Sequence, residues 1–303
     1  MGLFIGDHLP FILGSNIAGT VIKSTSPKYT PGQHIYGQGL PLQAVPNYSG
    51  LQEYALLLVS NSSPVPEGLS DEEAATLPIN TSTSFAALFH AKWLAYPTPW
   101  SSEAKSFDYS KEKLVIIGAG TNCGRLAVQF AKSVGIGLIV VTASLSNKEE
   151  LLELGAAHVI DRHLPESEVT AQVWEVLGGQ EEVVKVLDCA NWTFEVATSL
   201  VAKDRESFIA TLHQVRAGPE LLAQKGKSKS QMKVLGVAVN NWGDEDTEEF
   251  WKWLGKEVTE GRVKIPKFRI VEGLDAEKIN EALDSYRDGS PVVQAVVRPG
   301  GKA

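Results

Sequence analysis

Two kinds of hydrophobic pattern succeed one another along this chain. The N-terminal part carries short β-type segments separated by glycine-rich turns, as a compact β-barrel or sandwich requires. These segments are Ile17–Lys23, His34–Gly37 and Leu51–Val59. Ser70 followed by Glu73 fits a capping box, which predicts that a helix begins there. A second helix is predicted over Ser82–Leu94.

From Lys113 onwards, apolar β-rich runs alternate with helical ones. Between the first two runs, apolar residues recur with the i, i+3, i+4, i+7 spacing of one helix face, at Ala127, Phe130, Ala131 and Val134. Runs that are apolar throughout are typical of parallel strands buried on both faces of a sheet. Six such runs separated by helices predict an α/β fold with a doubly wound parallel sheet. The runs are Leu114–Ile117, Leu138–Thr142, His158–Ile160, Val183–Leu187, Ser207–Leu212 and Val234–Val239.

The C-terminal tail reads as strand, helix and strand. These are Lys267–Val271, a helical face of Ile279, Ala282, Leu283 and Tyr286, and Val292–Val297. The tail has no need to extend the parallel sheet, so it can return to complete the β-rich N-terminal part. The predicted domain limits are 1–95 for the β-rich domain, 96–264 for the parallel-sheet domain and 265–303 for the returning segment.

Composition and charge narrow the classes of function. Of the 303 residues, 43% are hydrophobic and 21% charged, as in ordinary globular proteins. The net charge of −8, without a run of Lys or Arg, argues against nucleic acid or an anionic membrane as partner. No apolar stretch approaches the ~20 residues of a membrane-spanning helix, and Met1–Pro10 lacks the pattern of a signal peptide. Two cysteines, Cys123 and Cys189, are too few for a disulfide framework. We therefore expect a cytoplasmic protein.

The clearest chemical motif is the glycine-rich segment Gly118–Gly124, which follows the first apolar run and opens a helix. In dinucleotide-binding loops the first glycine allows the tight turn, the second lets the backbone approach the pyrophosphate, and the last permits close helix–strand packing. The spacing here, GxGxxxG, is one residue longer than the common form, and a plain strand–helix turn is the alternative. In a six-strand context we expect cofactor binding. The expected contacts are Gly118, Gly120, Thr121, Asn122, Cys123 and Gly124.

The end of the second predicted strand indicates which cofactor to expect. An NAD site usually places Asp or Glu there, about 20 residues after the loop, to bind the ribose 2′-hydroxyl. This chain has no carboxylate until Glu149, and Ser144, Asn147 and Lys148 before it suit a 2′-phosphate. Ser146–Glu149 also fits a capping box for the next helix, which needs no ligand. We expect NADPH rather than NADH.

Five segments, taken in order, resemble those of the medium-chain dehydrogenase/reductase superfamily. Three come from the glycine-punctuated first domain of that family: Pro10–Val21, Pro31–Gly37 and Gly50–Ala55. Leu77–Ser84 is similar to a segment whose threonine lies beside the nicotinamide, and Leu154–Asp161 to the L-G-A-x-x-V-I-(D/N) segment. Their joint order covers nearly the whole chain. Within the superfamily, the chain most resembles fungal GroES-like proteins of the quinone oxidoreductase and trans-acting enoyl reductase type.

The resemblance implies a Rossmann NADP-binding domain, a partial GroES-like substrate domain to which the tail returns, and a cleft between them. It implies hydride transfer from NADPH to a quinone, an enone or an enoyl thioester, by enzymes that are often homodimers. Relatives extend further upstream of the segment that begins here at Met1, so part of the barrel and of the substrate pocket is expected to be missing. Asn16 stands where relatives often have an acid, and Gln294 replaces a common lysine.

The matching segments also supply candidate site residues. Thr83 is the best candidate for a place near the reacting atoms, with a helix-start threonine as the alternative. Asn80 would contact cofactor or substrate, or form a structural turn. Tyr36 would donate a proton or a hydrogen bond, or be a buried barrel tyrosine. The family's chain passes the cofactor at positions that match Asp188, Cys189 and, more weakly, Gly236.

Metal catalysis is not expected. Zinc-dependent relatives hold the metal with cysteines and a Gly-His-Glu turn, and the corresponding turn here is Gly14-Ser15-Asn16. The six histidines show no paired spacing such as HxxxH. The chemistry is then expected to depend on orienting the nicotinamide near an electron-poor carbon and stabilising enolate charge.

Three hypotheses about function stay open on the sequence. The first is an NADPH-dependent reductase of activated double bonds or quinones, with a small-molecule substrate. The second is a catalytically weak NADPH-binding protein, and the third a partner-dependent enoyl reductase acting on a chain tethered to a biosynthetic synthase. The glycine loop supports all three equally.

Overall fold

The computed structural model describes residues 10–39, 45–190, 193–213, 218–234, 244–287 and 293–300. The chain divides into a first unit, Met1–Ile79 with Trp242–Ala303, and a second unit, Asn80–Asn241. The domain limits predicted from the sequence, after residues 95 and 264, fall at other positions and stay predictions.

Strands and helices alternate along the described residues. The strands are β1 Asn16–Thr20, β2 His34–Gln38, β3 Ser62–Pro64, β4 Lys113–Ile117, β5 Leu138–Ala143, β6 His158–Asp161, β7 Lys185–Asp188, β8 Ser207–Thr211, β9 Ser230–Val234, β10 Phe268–Glu272 and β11 Gln294–Arg298. The helices are α1 Asp71–Ala74, α2 Pro78–Phe89, α3 Asn122–Ser133, α4 Lys148–Leu154, α5 Glu166–Leu177, α6 Glu195–Leu200, α7 Gly218–Gln224, α8 Asp244–Thr259 and α9 Ala276–Arg287.

A six-stranded sheet with the order β6-β5-β4-β7-β8-β9 forms the centre of the second unit. All of its strand pairs are parallel. The chain therefore runs outward from β4 on one side and from β7 on the other, which confirms the predicted doubly wound α/β fold. At the point of reversal, Ile117 of β4 lies between Thr142 of β5 and Asp188 of β7. Ligands of doubly wound sheets bind outside the carboxyl ends of such neighbouring strands.

The apolar runs form these strands because helices cover the sheet and exclude water from it. Val115, Val140, Val186 and Ile209, from four different strands, pack with Val173 of α5 at no more than 1% exposure. Burying each of these side chains contributes about 1.5–3 kcal/mol, which accounts for runs without polar alternation. The predicted helix face also lies inside, since Ala127, Phe130 and Ala131 of α3 are fully buried.

The first unit is β-rich. Strands β1, β2 and β3 form an antiparallel sheet, and β10 pairs with β11 in a separate parallel pair. Helix α8 packs against β3, and its Trp251 meets the fully buried Tyr36 of β2 edge to face, with 5.3 Å between ring centroids. The capping box at Ser70 and Glu73 is formed and opens α1, as predicted.

Three local predictions are wrong, and a fourth lies mostly outside the described residues. Leu51–Val59 forms bends and the start of a 3-10 turn rather than a strand, and the third strand is Ser62–Pro64. The backbone N–H of Leu56 bonds to the carbonyl oxygen of Asn47 instead of to a neighbouring strand. The second helix is Pro78–Phe89 and not Ser82–Leu94, because proline is well suited to the first turn of a helix. The last parallel strand is Ser230–Val234, and the rest of the predicted Val234–Val239 lies outside the described residues. Tyr286 is 55% exposed on α9 rather than on its buried face.

Arg298 of the last strand forms ion pairs with two other elements of the first unit. Its guanidinium Nε lies 2.8 Å from Oε1 of Glu72 in α1, and Nη1 lies 2.6 Å from Oε1 of Glu272 in β10. Burial raises the pKa of Glu72, but hydrogen bonds from its own backbone N–H and from Arg298 outweigh that effect, so this pKa is lowered. A lowered carboxyl pKa contributes stability above the unfolded-state value, and the contribution is lost as the pH falls through the folded-state value.

We therefore expect Arg298→Met to lower the melting temperature at neutral pH. The gap to the wild-type protein should shrink as the pH falls below about 4, because the glutamate is protonated first in the unfolded chain and, at still lower pH, in the folded protein. Thermal melts recorded by circular dichroism across acid and neutral pH measure this. Arg269→Met, at an exposed arginine of β10, is the matched control and should show no such pH-dependent gap. A gap for Arg298→Met that is constant with pH would contradict the ion-pair explanation.

Candidate functional site

The glycine loop lies at the carboxyl end of β4, at the point where the sheet reverses. The backbone N–H groups of Gly118 and Ala119 each lie 3.0 Å from the carbonyl oxygen of Thr142, the next-to-last residue of β5. Thr121 caps α3, because its hydroxyl accepts from the N–H of Gly124 and donates to the carbonyl oxygen of Gly118, both at 3.0 Å. The loop is thus held on both sides, and the positive end of a 12-residue helix dipole lies beside it.

Two of the three glycines are required by close packing. Gly118 has a φ of +74°, and a Cβ there would lie 2.3 Å from Cβ of Ala190, which follows β7. A Cβ at Gly124 would lie 2.6 Å from the Cα of Ala119. Gly120 differs, since among the described residues an added Cβ would meet only the side chain of Asn147, with Nδ2 at 2.9 Å. The backbone at Gly120 is therefore open to a ligand, as the second glycine of a pyrophosphate loop must be.

Arg125 connects this loop with the segment that follows β5. Its Nη1 donates to the carbonyl oxygen of Gly120, and its Nη2 lies 3.0 Å from Oδ1 of Asn147 and 3.1 Å from Oε2 of Glu150. The capping box predicted at Ser146–Glu149 is wrong. Asn147 is the residue before α4, and within the described part of the chain its side chain caps no N–H of that helix. Instead, the amide oxygen of Asn147 accepts the hydrogen bond from Arg125.

The other predicted cofactor residues after β5, Ser144 and Lys148, lie near Asn147 in the sequence. Ser144 is half-buried, and its hydroxyl lies 2.9 Å from that of Ser146. Lys148 is exposed at the first position of α4. A cation at a helix N-terminus opposes the helix dipole, so local stability does not explain this lysine.

Helix α2 contributes the next side of the site. Asn80 and Thr83 are both half-buried one turn apart, whereas Thr81, Ser82 and Ser84 are buried. The hydroxyl of Ser84 lies 2.8 Å from the carbonyl oxygen of Cys123, and Sγ of Cys123 lies 3.5 Å from Oδ1 of Asn80. The helix that carries Thr83 is therefore bonded directly to the start of α3.

Both cysteine thiols near the loop are inert at neutral pH. Burial raises the pKa of Cys123 to about 11, an effect that the hydrogen bond with Ser84 only partly offsets. Burial also raises the pKa of Cys189, which follows β7, well above its ordinary value. Thiols with such pKa values stay protonated and are weak nucleophiles.

The carboxyl ends of β7 and β8 complete the described part of the site. Asp188 is fully buried, and its Oδ1 lies 3.1 Å from the backbone nitrogen of Ala190. His213, just after β8, is hydrogen-bonded to the backbone of Cys189, and burial lowers the pKa of this histidine. An imidazole with a lowered pKa is neutral at physiological pH.

The structure brings together most, but not all, of the predicted residues. Gly236 lies outside the described residues. Tyr36 belongs to the first unit and is fully buried there, and that burial raises the pKa of its hydroxyl far above the ordinary value. This is the placement of a core tyrosine.

Sequence reasoning missed three residues at the loop: Ser84, Arg125 and His213. Arg125 had a usable signal, since it is the basic residue directly after the last glycine. Ser84 and His213 had none, because their partners are far away along the chain.

The family model for zinc-binding dehydrogenases matches residues 123–256. The trans-enoyl reductase himH of Aspergillus japonicus is 28% identical over 95% of this chain and 81% of its own length. A Pseudomonas syringae quinone oxidoreductase has a similar fold, with a TM-score of 0.75 at 19% identity over 96% of this chain and 83% of its own. The mycobacterial protein Rv1454c, solved in complex with NADPH, matches the fold with a TM-score of 0.71. It is 18% identical over 95% of this chain and 83% of its own length. These similarities agree with the resemblance to the medium-chain dehydrogenase/reductase superfamily that the sequence segments indicate.

The matched family model is that of zinc-binding dehydrogenases, which raises the question of whether residues of this chain could hold zinc. Among the described residues, no three His, Cys, Asp or Glu side chains come together in a way that would hold a metal ion. At the position where zinc-dependent members have the Gly-His-Glu turn, Oδ1 of Asn16 accepts a hydrogen bond of 3.0 Å from the backbone N–H of Ile79. The amide oxygen of Asn16 is therefore engaged by the backbone of α2 at this turn.

Within the described residues, this chain has no helix that combines the length and the apolar character needed to cross a bilayer.

Proposed function

We propose that this chain binds NADPH through its second unit and uses it, without zinc, to reduce an activated double bond or a quinone. The observation that carries the proposal is the glycine loop at the sheet reversal, with Gly120 open to a ligand and cationic side chains beyond it. The resemblance to oxidoreductases of this superfamily supplies the reaction class. A homodimeric state and a cytoplasmic location stay predictions.

The residues of the loop fit the cofactor by their geometry and charge. Gly120 would face the pyrophosphate, together with the backbone at Thr121, Asn122 and Cys123, while Gly118 and Gly124 would shape the loop around it. Ser144, Asn147 and Lys148 would hold the 2′-phosphate by hydrogen bonds and charge. Asn80, Asp188 and Cys189 would contact the nicotinamide half. The cofactor, when bound, supplies a hydride for an electron-poor carbon.

Thr83 is the residue we propose next to the reacting atoms. It is half-buried on the same face of α2 as Asn80, which is bonded to the start of α3. Its hydroxyl would donate a hydrogen bond to the substrate oxygen on which enolate charge develops, and this stabilises the transition state more than the ground state. Tyr36 has no part in this proposal, because its hydroxyl is buried and holds its proton tightly.

The substrate is proposed as a small enone, quinone or enoyl thioester. A second candidate is an enoyl chain tethered to the carrier domain of a biosynthetic synthase, which the name of himH as a trans-enoyl reductase favours. A third outcome, tight NADPH binding without turnover, would identify a catalytically weak member.

Cofactor titration followed by thermal melting is the first test. A ligand that binds only the folded protein raises its stability by RT ln(1 + [L]/Kd). We expect NADPH to raise the melting temperature and NADH to do so much less. No shift with either cofactor, in a protein that melts cooperatively, would overturn the proposal.

Turnover then separates the candidate substrates. Oxidation of NADPH is followed by its absorbance with a quinone, an enone, a pantetheine-bound enoyl thioester and the same chain on a carrier protein. Activity with the free compounds supports the first candidate, and activity only with the carrier-bound chain supports the second. A fixed NADPH concentration without any acceptor is the control.

Thr83→Val tests the residue beside the reaction. Valine keeps the shape and removes the hydroxyl, so we expect kcat to fall by about 10- to 100-fold with the Kd of NADPH unchanged. Thr83→Ser keeps the hydroxyl and is the matched control, which should retain most of the activity. If valine and serine variants turn over equally, Thr83 has only a structural role.

A further inference from the structure

Arg125 has an environment that neither the helix it belongs to nor the hydrophobic core explains. It follows Gly124 directly and lies in the first turn of α3, where a cation opposes the helix dipole. Its guanidinium is partly exposed, with 23% of the side chain accessible, and turns back over the glycine loop. There it contacts the carbonyl oxygen of Gly120.

The position of this guanidinium relates it to the cofactor. Gly120 is the loop residue whose backbone is open to a ligand, and Asn147 lies directly against it. Arg125 bonds to both, so it spans from the pyrophosphate loop to the segment after β5. In doubly wound sheets the residues at the end of this strand face the 2′ position of the adenosine ribose.

The ion pair with Glu150 adds a charge argument. The Arg125 and Glu150 side chains lie 3.1 Å apart and are 23% and 33% exposed. Glu150 is a carboxylate close to the 2′ position, and left unpaired it would repel a phosphate there and favour a ribose hydroxyl. Paired with Arg125 its charge is neutralised, and the planar fork of the guanidinium suits a phosphate better than a single carboxylate oxygen.

We infer that Arg125 recognises the 2′-phosphate of the cofactor and selects NADPH over NADH, while Glu150 competes with that phosphate for the guanidinium. This inference rests on the proposed binding of a nicotinamide cofactor and adds the residue that discriminates between the two forms. The opposing explanation is a structural brace, in which Arg125 and Glu150 hold the loop and the segment after β5 together for either cofactor.

The two explanations differ in the sign of the effect at Glu150. Under the inference, Arg125→Met weakens NADPH binding by about tenfold or more and leaves NADH binding unchanged, since one charge-assisted bond to phosphate is lost. Glu150→Gln removes the competitor, so NADPH binds several times more tightly and NADH is again unchanged. If the pair is only a structural brace, both variants are expected to weaken the binding of NADPH and of NADH.

The experiment measures dissociation constants by calorimetry for NADPH, NADH, adenosine 2′,5′-bisphosphate and adenosine 5′-monophosphate. The last two differ only by the 2′-phosphate, so they report on this contact independently of the nicotinamide and of turnover. The variants are Arg125→Met, Glu150→Gln and Lys148→Met. Arg205→Met is the matched control for loss of a surface guanidinium. Arg205 is exposed, lies just before β8 and pairs with Glu182.

Each outcome decides the inference. A loss confined to NADPH and the bisphosphate in Arg125→Met, with a gain in Glu150→Gln, supports it. The inference is overturned if Arg125→Met weakens NADPH and NADH binding equally, or if only Lys148→Met changes the affinity for NADPH. Either result leaves the proposed function intact. If the wild-type protein binds none of the four compounds, the inference and the proposed function both fail. Melting temperatures of the unliganded variants show that each is folded.

Discussion

Gly120→Val is expected to abolish NADPH binding in a protein that still folds. The added Cβ meets only the end of the Asn147 side chain, at 2.9 Å among the described residues, and that flexible amide can move aside. The methyl groups of valine would then cover the backbone that the pyrophosphate must approach. Losing two charge-assisted contacts to phosphate weakens binding by at least about 100-fold.

Titration with NADPH followed by thermal melting measures this loss, and the melt without ligand shows whether the protein is folded. Gly19→Val in β1 is the matched control, because an added Cβ there meets no described atom within 4 Å and a strand accepts valine well. Unchanged NADPH affinity in Gly120→Val would show that the pyrophosphate does not bind at this loop.

Gly118→Ala is expected to have the largest effect on stability. Its φ of +74° disfavours alanine, and the new Cβ would lie 2.3 Å from that of Ala190. Left-handed backbone costs about 1–2 kcal/mol for a residue with a Cβ, and overpacking adds typically about 1–3 kcal/mol. We therefore expect the free energy of unfolding to fall by about 2–5 kcal/mol, measured by urea unfolding.

Two further variants separate these contributions. Gly135→Ala shares the positive φ, at +87°, but an added Cβ there meets no described atom within 4 Å, so it shows the backbone cost alone. Ala190→Gly combined with Gly118→Ala removes the clash and should recover part of the loss. Equal destabilisation by Gly118→Ala and Gly135→Ala would mean that the loop does not pack closely against the end of β7.

Much of the fold could be predicted because the local pattern of apolar residues indicates which segments are buried. Strands covered on both faces need apolar side chains at every position, so six uninterrupted runs were enough to indicate the doubly wound sheet. The wrong strand at Leu51–Val59 shows the limit of that reasoning. An apolar run there is half-exposed in places, with Leu56 at 50%, and its backbone pairs within a loop.

The candidate site likewise has a part that could be predicted and a part that could not. The glycine loop was predictable, since close packing at Gly118 and Gly124 and an open backbone at Gly120 demand glycine at fixed spacing. The capping box at Ser146–Glu149 was not a reliable guide, although an equivalent one at Ser70 forms. There the hydroxyl of Ser146 lies 2.9 Å from that of Ser144, and the helix begins at Lys148, after Asn147.

The sequence by itself determined the sheet, the loop and the resemblance to a dehydrogenase/reductase superfamily, because each depends on residue types at short, regular spacings. Tertiary structure alone decided which polar side chains meet. Arg125 reaches Asn147 and Glu150, 22 and 25 residues away, and Ser84 reaches Cys123 across 39 residues. Such pairs follow from how α2, α3 and the end of β5 pack on one another, and side-chain hydrogen bonds over that separation leave no periodic trace in the sequence.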